Sequence, residues 1–265
     1  MNKIMARLTE NYNTVINMGY EVVGLFLQGS QNYELAYENS DIDCKAILLP
    51  KFNDFVLNNR LISTTYVLEN NEHIDLKDIR LMFDCFKKQN INFVEILFTK
   101  FKVVNPKYES FIQLLFDNNE KIVRYNNYAA VNCICGMSLE KYKALEHPYP
   151  TIIDKIEKYG YDPKQLHHII RLNEFIKRYI AGEKYVDCLI SKNKDYLIEV
   201  KQGIHSLEEA RIVAKKLCDE TVKIKNDYMM NNSVQIDKEC EVILNGVLLD
   251  IMKHNFKYEL MDGVK

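Results

Sequence analysis

Apolar residues recur at helical spacing from the start of the chain. Ile4, Leu8, Tyr12, Val15 and Ile16 predict an amphipathic helix over residues 2–18, closed by Met18-Gly19-Tyr20. The period then changes. Val22-Val23-Gly24-Leu25-Phe26-Leu27 is a short run rich in strand formers, which predicts a buried strand ended by Gln28-Gly29-Ser30. Residues 31–39 are polar and read as a short helix or loop, and Asp41 to Leu49 predicts a second strand stopped by Pro50. Residues 64–68 and 73–76 predict a third and a fourth strand, paired as a hairpin across Asn70-Asn71. Ile79, Met82, Phe83 and Phe86 predict a helix over 77–89, and residues 92–101 form a further short element.

After Asn105-Pro106 the strand signals nearly vanish. Helical patterns follow at 107–118, 121–145, 151–158, 163–181, 206–230 and 237–257. Asp162 stands as N-cap before Pro163 at the first helical position, and Gly182 stands where a helix ends. Ser206-Leu207-Glu208-Glu209 fits a capping box. The expected fold class is therefore α+β: a mixed-sheet domain over 1–105, then a helical domain over 106–265.

Composition narrows this picture without changing it. Lys and Arg total 35 against 37 for Asp and Glu, a net charge of -2, which excludes a globally basic nucleic-acid wrapper. No stretch approaches 18 consecutive apolar residues, so no membrane span is expected. Seven scattered cysteines read as reduced thiols, because Cys133-Ile134-Cys135 is not structural zinc spacing. The N-terminal residues have no apolar core of the signal-peptide kind, and the expected location is the cytoplasm.

The chemistry concentrates between residues 24 and 43. Asp41 and Asp43, two apart on a predicted strand, point to one side with Ile42 toward the core. Two carboxylates this close repel unless a cation lies between them, and Mg²⁺ takes one or two carboxylates with substrate phosphates. Asp75 on a neighbouring strand is a candidate third ligand for a two-metal clamp; capping the following helix is its other reading. Gly29 and Ser30 form a turn whose N–H and O–H groups suit phosphate oxygens. Farther along, Lys164, His167, His168 and Arg171 share one face of a predicted helix. That strip is either a phosphate-facing cationic row, with Arg171 bidentate, or a solvated face with one structural histidine.

The Gly29-Ser30 turn, its spacer and Asp41-Ile42-Asp43 resemble the signature of the DNA-polymerase-beta-like nucleotidyltransferase superfamily. Three stretches are similar to its bacterial and phage group associated with RNA repair: GSQNYELAYENSDIDCKAILLP (29–50), HIDLKDIRLMFDCFKKQNINFVEILF (73–98) and GYDPKQLHHIIRLNEFIKRYIAGEKY (160–185). The resemblance implies a small palm-type sheet domain followed by a helical domain. It implies nucleoside monophosphate transfer from an NTP such as ATP to a hydroxyl, with two Mg²⁺ or Mn²⁺ ions on Asp41, Asp43 and Asp75. Gly29 and Ser30 would hold the β- and γ-phosphates, with Lys164, His168 and Arg171 as further nucleotide ligands. The implied acceptor is an RNA 3′ end, particularly of damaged or immature tRNA. A protein or small-molecule hydroxyl, a phosphodiester hydrolase and a non-catalytic binding module are the alternatives. One departure stands out: Gln31-Asn32-Tyr33-Glu34-Leu35 lacks the second glycine of the group, which predicts a tighter or helical loop.

Overall fold

The computed structural model describes residues 3–36 and 40–262. Residue 2 of the predicted first helix and residues 37–39 of the predicted loop lie outside the described residues. The chain begins with helix α1 (Lys3–Asn17) and strand β1 (Glu21–Leu27), then a 3-10 turn at Gly29–Tyr33. Next come β2 (Cys44–Leu49), α2 (Phe52–Val56), β3 (Ser63–Val67), β4 (His73–Asp78), α3 (Ile79–Lys87), α4 (Ile91–Val94) and β5 (Lys102–Val104). Helices α5 (Glu109–Asp117) and α6 (Asn119–Ile122) follow. The remaining elements are α7 (Asn127–Ala144), α8 (Ile153–Tyr159), α9 (Pro163–Ile180), α10 (Tyr185–Leu189), α11 (Lys194–Lys201), α12 (Leu207–Asn231) and α13 (Lys238–Asp262). The architecture is α+β, as the alternation of patterns predicts.

The chain forms two compact units, one of residues 1–32, 36–125 and 236–265, the other of residues 33–35 and 126–235. In the first, five strands make a mixed sheet in the order β3-β4-β2-β1-β5. Only β2 and β4 run parallel; β1 pairs antiparallel with β2 and β5, and β3 with β4. Leu8 and Val15 of α1 pack on one sheet face with Leu25, Leu27, Cys44, Ala46, Leu48, Ile74 and Leu76. In β2 and β4 that face takes every second residue, as the strand period requires. β4 alternates most cleanly: Ile74, Leu76 and Asp78 are buried, while His73, Asp75 and Lys77 turn to the other face. The 3-10 turn after Gly29 fits the tighter loop predicted from the missing glycine.

The sequence boundary at residue 105 is not where the compact units divide. α5 and α6 belong with the sheet unit, and α13 returns to it from the far end of the chain. Cys240, Leu244, Val247 and Ile251 give α13 a buried stripe. Polar contacts fix its position: Lys87 Nζ donates to Asn245 Oδ1 at 2.7 Å, Asn255 Nδ2 to the Pro50 carbonyl at 3.2 Å, and the Phe52 N–H to Glu259 at 2.9 Å. The predicted helix over 121–145 is interrupted, because the Asn126 side chain caps a new helix by accepting the Ala129 N–H at 2.9 Å.

In the second unit α9 packs against α7, α10, α11 and α12. Its entry has the expected cap, with Asp162 accepting the Lys164 N–H and Pro163 opening the helix. The capping box of Ser206 and Glu209 is formed at the start of α12. Leu145, Tyr161, Leu166, Ile169, Val200, Ala210 and Ala214 make the core. The short helices α10 and α11 are not predicted from the pattern. Among the described residues no helix is long and apolar enough to cross a membrane.

Candidate active site

The candidate site in the first unit lies where β1 ends and β2 begins. Leu27 pairs with Cys44, and one residue beyond, the Gln28 N–H donates to the Asp43 carbonyl at 3.0 Å. This bond sets the Gly29-Ser30 turn beside the Asp41-Ile42-Asp43 segment. Gly29 adopts φ +81, a conformation that a side chain disfavours, and a Cβ there would meet nothing within 4 Å. The space over this backbone is open. Asn32 secures the turn: its Nδ2 donates to the Leu27 carbonyl at 2.8 Å, and its Oδ1 accepts the Thr99 hydroxyl at 2.8 Å.

Asp41 and Asp43 do not sit on a strand, contrary to the predicted span, since the β2 ladder begins at Cys44. The alternation nevertheless holds. Ile42 is buried, with Asp41 exposed and Asp43 partly exposed on either side of it. Glu72, not singled out in the sequence, anchors this segment: its Oε1 accepts the Ile42 N–H at 3.2 Å, and its Oε2 lies 3.3 Å from Arg7 Nε. Asp43 Oδ1 accepts the His73 N–H at 2.9 Å.

Asp75 stands in register between Lys45 of β2 and Thr65 of β3. Lys45 Nζ donates to Asp75 Oδ2 at 2.8 Å, and the Thr65 hydroxyl to Oδ1 at 2.7 Å. Burial by itself raises the Asp75 carboxyl, but the charge and hydrogen bond of Lys45, with Thr65 and Lys77, outweigh it and hold the pKa below the usual value. Asp75 is not a helix cap; that role belongs to Asp78, which accepts the Arg80 N–H at 2.9 Å. The Lys45 ammonium also lies 4.4 Å from the centre of the Phe93 ring, and Lys77 Nζ lies 4.5 Å from it. Lys45 has a sequence signal, being two residues beyond Asp43 and so on the same side. Its pairing with Asp75 has none, because that depends on strand register.

These contacts decide what the site can hold. Asp41 and Asp43, on one side of a buried Ile42, fit a hard divalent cation that completes its shell with phosphate oxygens. Asp75 would serve as a third ligand only in competition with Lys45 and Thr65, each of which donates to one of its oxygens. Among the described residues no three His, Cys, Asp or Glu side chains are grouped so as to hold a metal ion.

Lys164, His168 and Arg171 lie on α9, in the second unit. Lys164 is exposed and His168 partly exposed. Arg171 is buried, its guanidinium 4.1 Å from the ring centre of Tyr33, which belongs to the same unit. His167 points inward, its Nδ1 2.9 Å from the Leu197 carbonyl, and burial pushes it down to about 4 despite that hydrogen bond. Burial also pushes His168 well below the ordinary histidine value, and the charges of Arg171 and Lys164 add to the effect. Both imidazoles are therefore neutral at pH 7. The cations of the strip are Lys164 and Arg171, not the histidines.

No protein-family model matches the chain, and no curated protein matches it. Among solved structures, a nucleotidyltransferase-like protein from Exiguobacterium sibiricum aligns over 98% of this chain and 92% of its own, at 13% identity and a TM-score of 0.34.

Proposed function

We propose that the chain is a metal-dependent nucleotidyltransferase that moves a nucleoside monophosphate from an NTP to an acceptor hydroxyl. The observation that carries this reading is the adjacency of the Gly29-Ser30 turn and Asp43 through the Gln28 N–H bond to the Asp43 carbonyl. Phosphate donors and phosphate-side carboxylates then lie at neighbouring strand ends. The Gly29 and Ser30 N–H groups and the Ser30 hydroxyl hold the β- and γ-phosphates. Asp41 and Asp43 hold Mg²⁺ or Mn²⁺, which when bound neutralises phosphate charge and polarises the reacting phosphorus. In the reaction the acceptor hydroxyl oxygen bonds to the α-phosphorus and releases its proton to solvent, the bond from that phosphorus to the bridging oxygen breaks, and pyrophosphate leaves. Positioning and charge stabilisation supply most of the acceleration. Lys164, His168 and Arg171 of the second unit are proposed as nucleotide ligands on the family resemblance alone.

The proposed acceptor is an RNA 3′ end, which rests on the family resemblance. The test supplies each α-labelled NTP with Mg²⁺ to the purified chain and total RNA, with a parallel arm containing protein instead. Label in RNA that is lost in Asp41→Ala/Asp43→Ala supports both the chemistry and the acceptor. Label in protein keeps the chemistry and replaces the acceptor. Metal-independent behaviour, or no nucleotide binding, refutes the enzyme reading in favour of a binding module.

A further inference from the structure

Lys45, Asp75 and Thr65 form one row across three adjacent strands: Lys45 is in register with Asp75 on β2 and β4, and Asp75 with Thr65 on β4 and β3. The row is closed by short contacts, 2.8 Å from Lys45 Nζ to Asp75 Oδ2 and 2.7 Å from the Thr65 hydroxyl to Asp75 Oδ1. The Lys45 side chain is only 4% exposed, against 28% for Asp75, so the ammonium is fixed in place by the fold. The Phe93 ring lies 4.4 Å from it, and every residue of β2 is buried. A buried lysine without a partner is costly, so Asp75 is committed to neutralising it. A second divalent cation on Asp75 would also lie within a few ångströms of that ammonium and be repelled by it.

Resting on the nucleotidyltransferase reading, we infer that the site takes one divalent cation per nucleotide, on Asp41 and Asp43, and that Lys45 keeps Asp75 out of metal coordination. Asp75 is then a positioning residue that holds Lys45, not a metal ligand. The fixed ammonium supplies a single positive charge on the sheet face where a two-ion site would carry a second cation.

The test counts bound Mn²⁺ against bound α,β-methylene-ATP by equilibrium dialysis of the full chain, with circular dichroism confirming that each variant is folded. The wild type and Asp75→Asn are expected to bind Mn²⁺ and nucleotide at a ratio of one, and Lys45→Met to rise toward two as Asp75 is released. A ratio of two in the wild type that drops to one in Asp75→Asn would overturn the inference and leave the nucleotidyltransferase reading standing. A ratio of one in Lys45→Met would overturn the role given to Lys45. No Mn²⁺-dependent nucleotide binding in any of the proteins would overturn the reading itself, and the inference with it.

Discussion

Gly29 and Gly19 are a matched pair on which the phosphate role of the turn can be tested. Gly29 has φ +81 and Gly19 has φ +88, and at both positions a Cβ would meet nothing within 4 Å. Alanine at either site therefore introduces no clash and costs only the strain of a left-handed conformation, about 1–2 kcal/mol. The gain from restricting the unfolded chain returns about 0.4–1 kcal/mol. The net loss is about 1 kcal/mol, which lowers Tm by roughly 2–4 °C for a domain of this size class. The two variants should thus be indistinguishable in thermal unfolding. They should differ in nucleotide binding, because Gly29 opens the turn beside Asp43 whereas Gly19 sits in the turn between α1 and β1, at the other end of β1. Alanine keeps the N–H, but its Cβ enters the open space over the turn and holds the phosphate off the backbone; the resulting loss of one charge-assisted N–H bond is worth about 1.5–3 kcal/mol, roughly a ten- to hundredfold rise in Kd. Calorimetric titration with Mg²⁺ and α,β-methylene-ATP reads this directly. Equal affinities for Gly29→Ala and Gly19→Ala would refute the assignment of the turn to phosphate.

Three further outcomes follow from particular contacts. Glu72→Ala removes the acceptor of the Ile42 N–H and the partner of Arg7; it should cost about 1–3 kcal/mol in urea unfolding and weaken Mg²⁺-dependent nucleotide binding, while Glu72→Gln should retain most of the binding. Asp78→Ala removes the cap of α3 and the partner of the Arg80 guanidinium and should cost about 1–3 kcal/mol without changing nucleotide affinity, and a loss of affinity would count against its purely structural role. His167, with a folded pKa near 4 against 6.5 unfolded, takes up its proton first in the unfolded chain as pH falls. Its contribution is intact above about pH 6.5 and erodes toward pH 4, by at most about 3 kcal/mol, so His167→Asn should flatten the stability–pH curve over that window.

The sequence made the strands and long helices legible wherever one face is buried. The period-two pattern of β4 and the capping residues Asp162, Ser206 and Glu209 appear in the structure as the chemistry predicts. β2 starts at Cys44 rather than Asp41 because Asp41 to Asp43 alternate in burial outside the ladder, and periodicity cannot distinguish the two. The return of α13 was not legible either: its stripe says that one face is buried, but only Asn245, Asn255 and Glu259 say against what. In the candidate site, Gly29, Ser30, Asp41 and Asp43 could be found from local spacing. The partner of Asp75 could not, since Lys45 reaches it through a parallel register joining positions 30 residues apart. The strip on α9 was legible as a face, but its charge was not, because burial of His167 and His168 makes both neutral.

The most direct test of the central claim is calorimetric binding of α,β-methylene-ATP to the wild type and to Asp41→Ala/Asp43→Ala, each with Mg²⁺ and with EDTA. The account predicts binding in one case alone, the wild type with Mg²⁺. Equal binding by the double variant, or binding that survives EDTA, would contradict it.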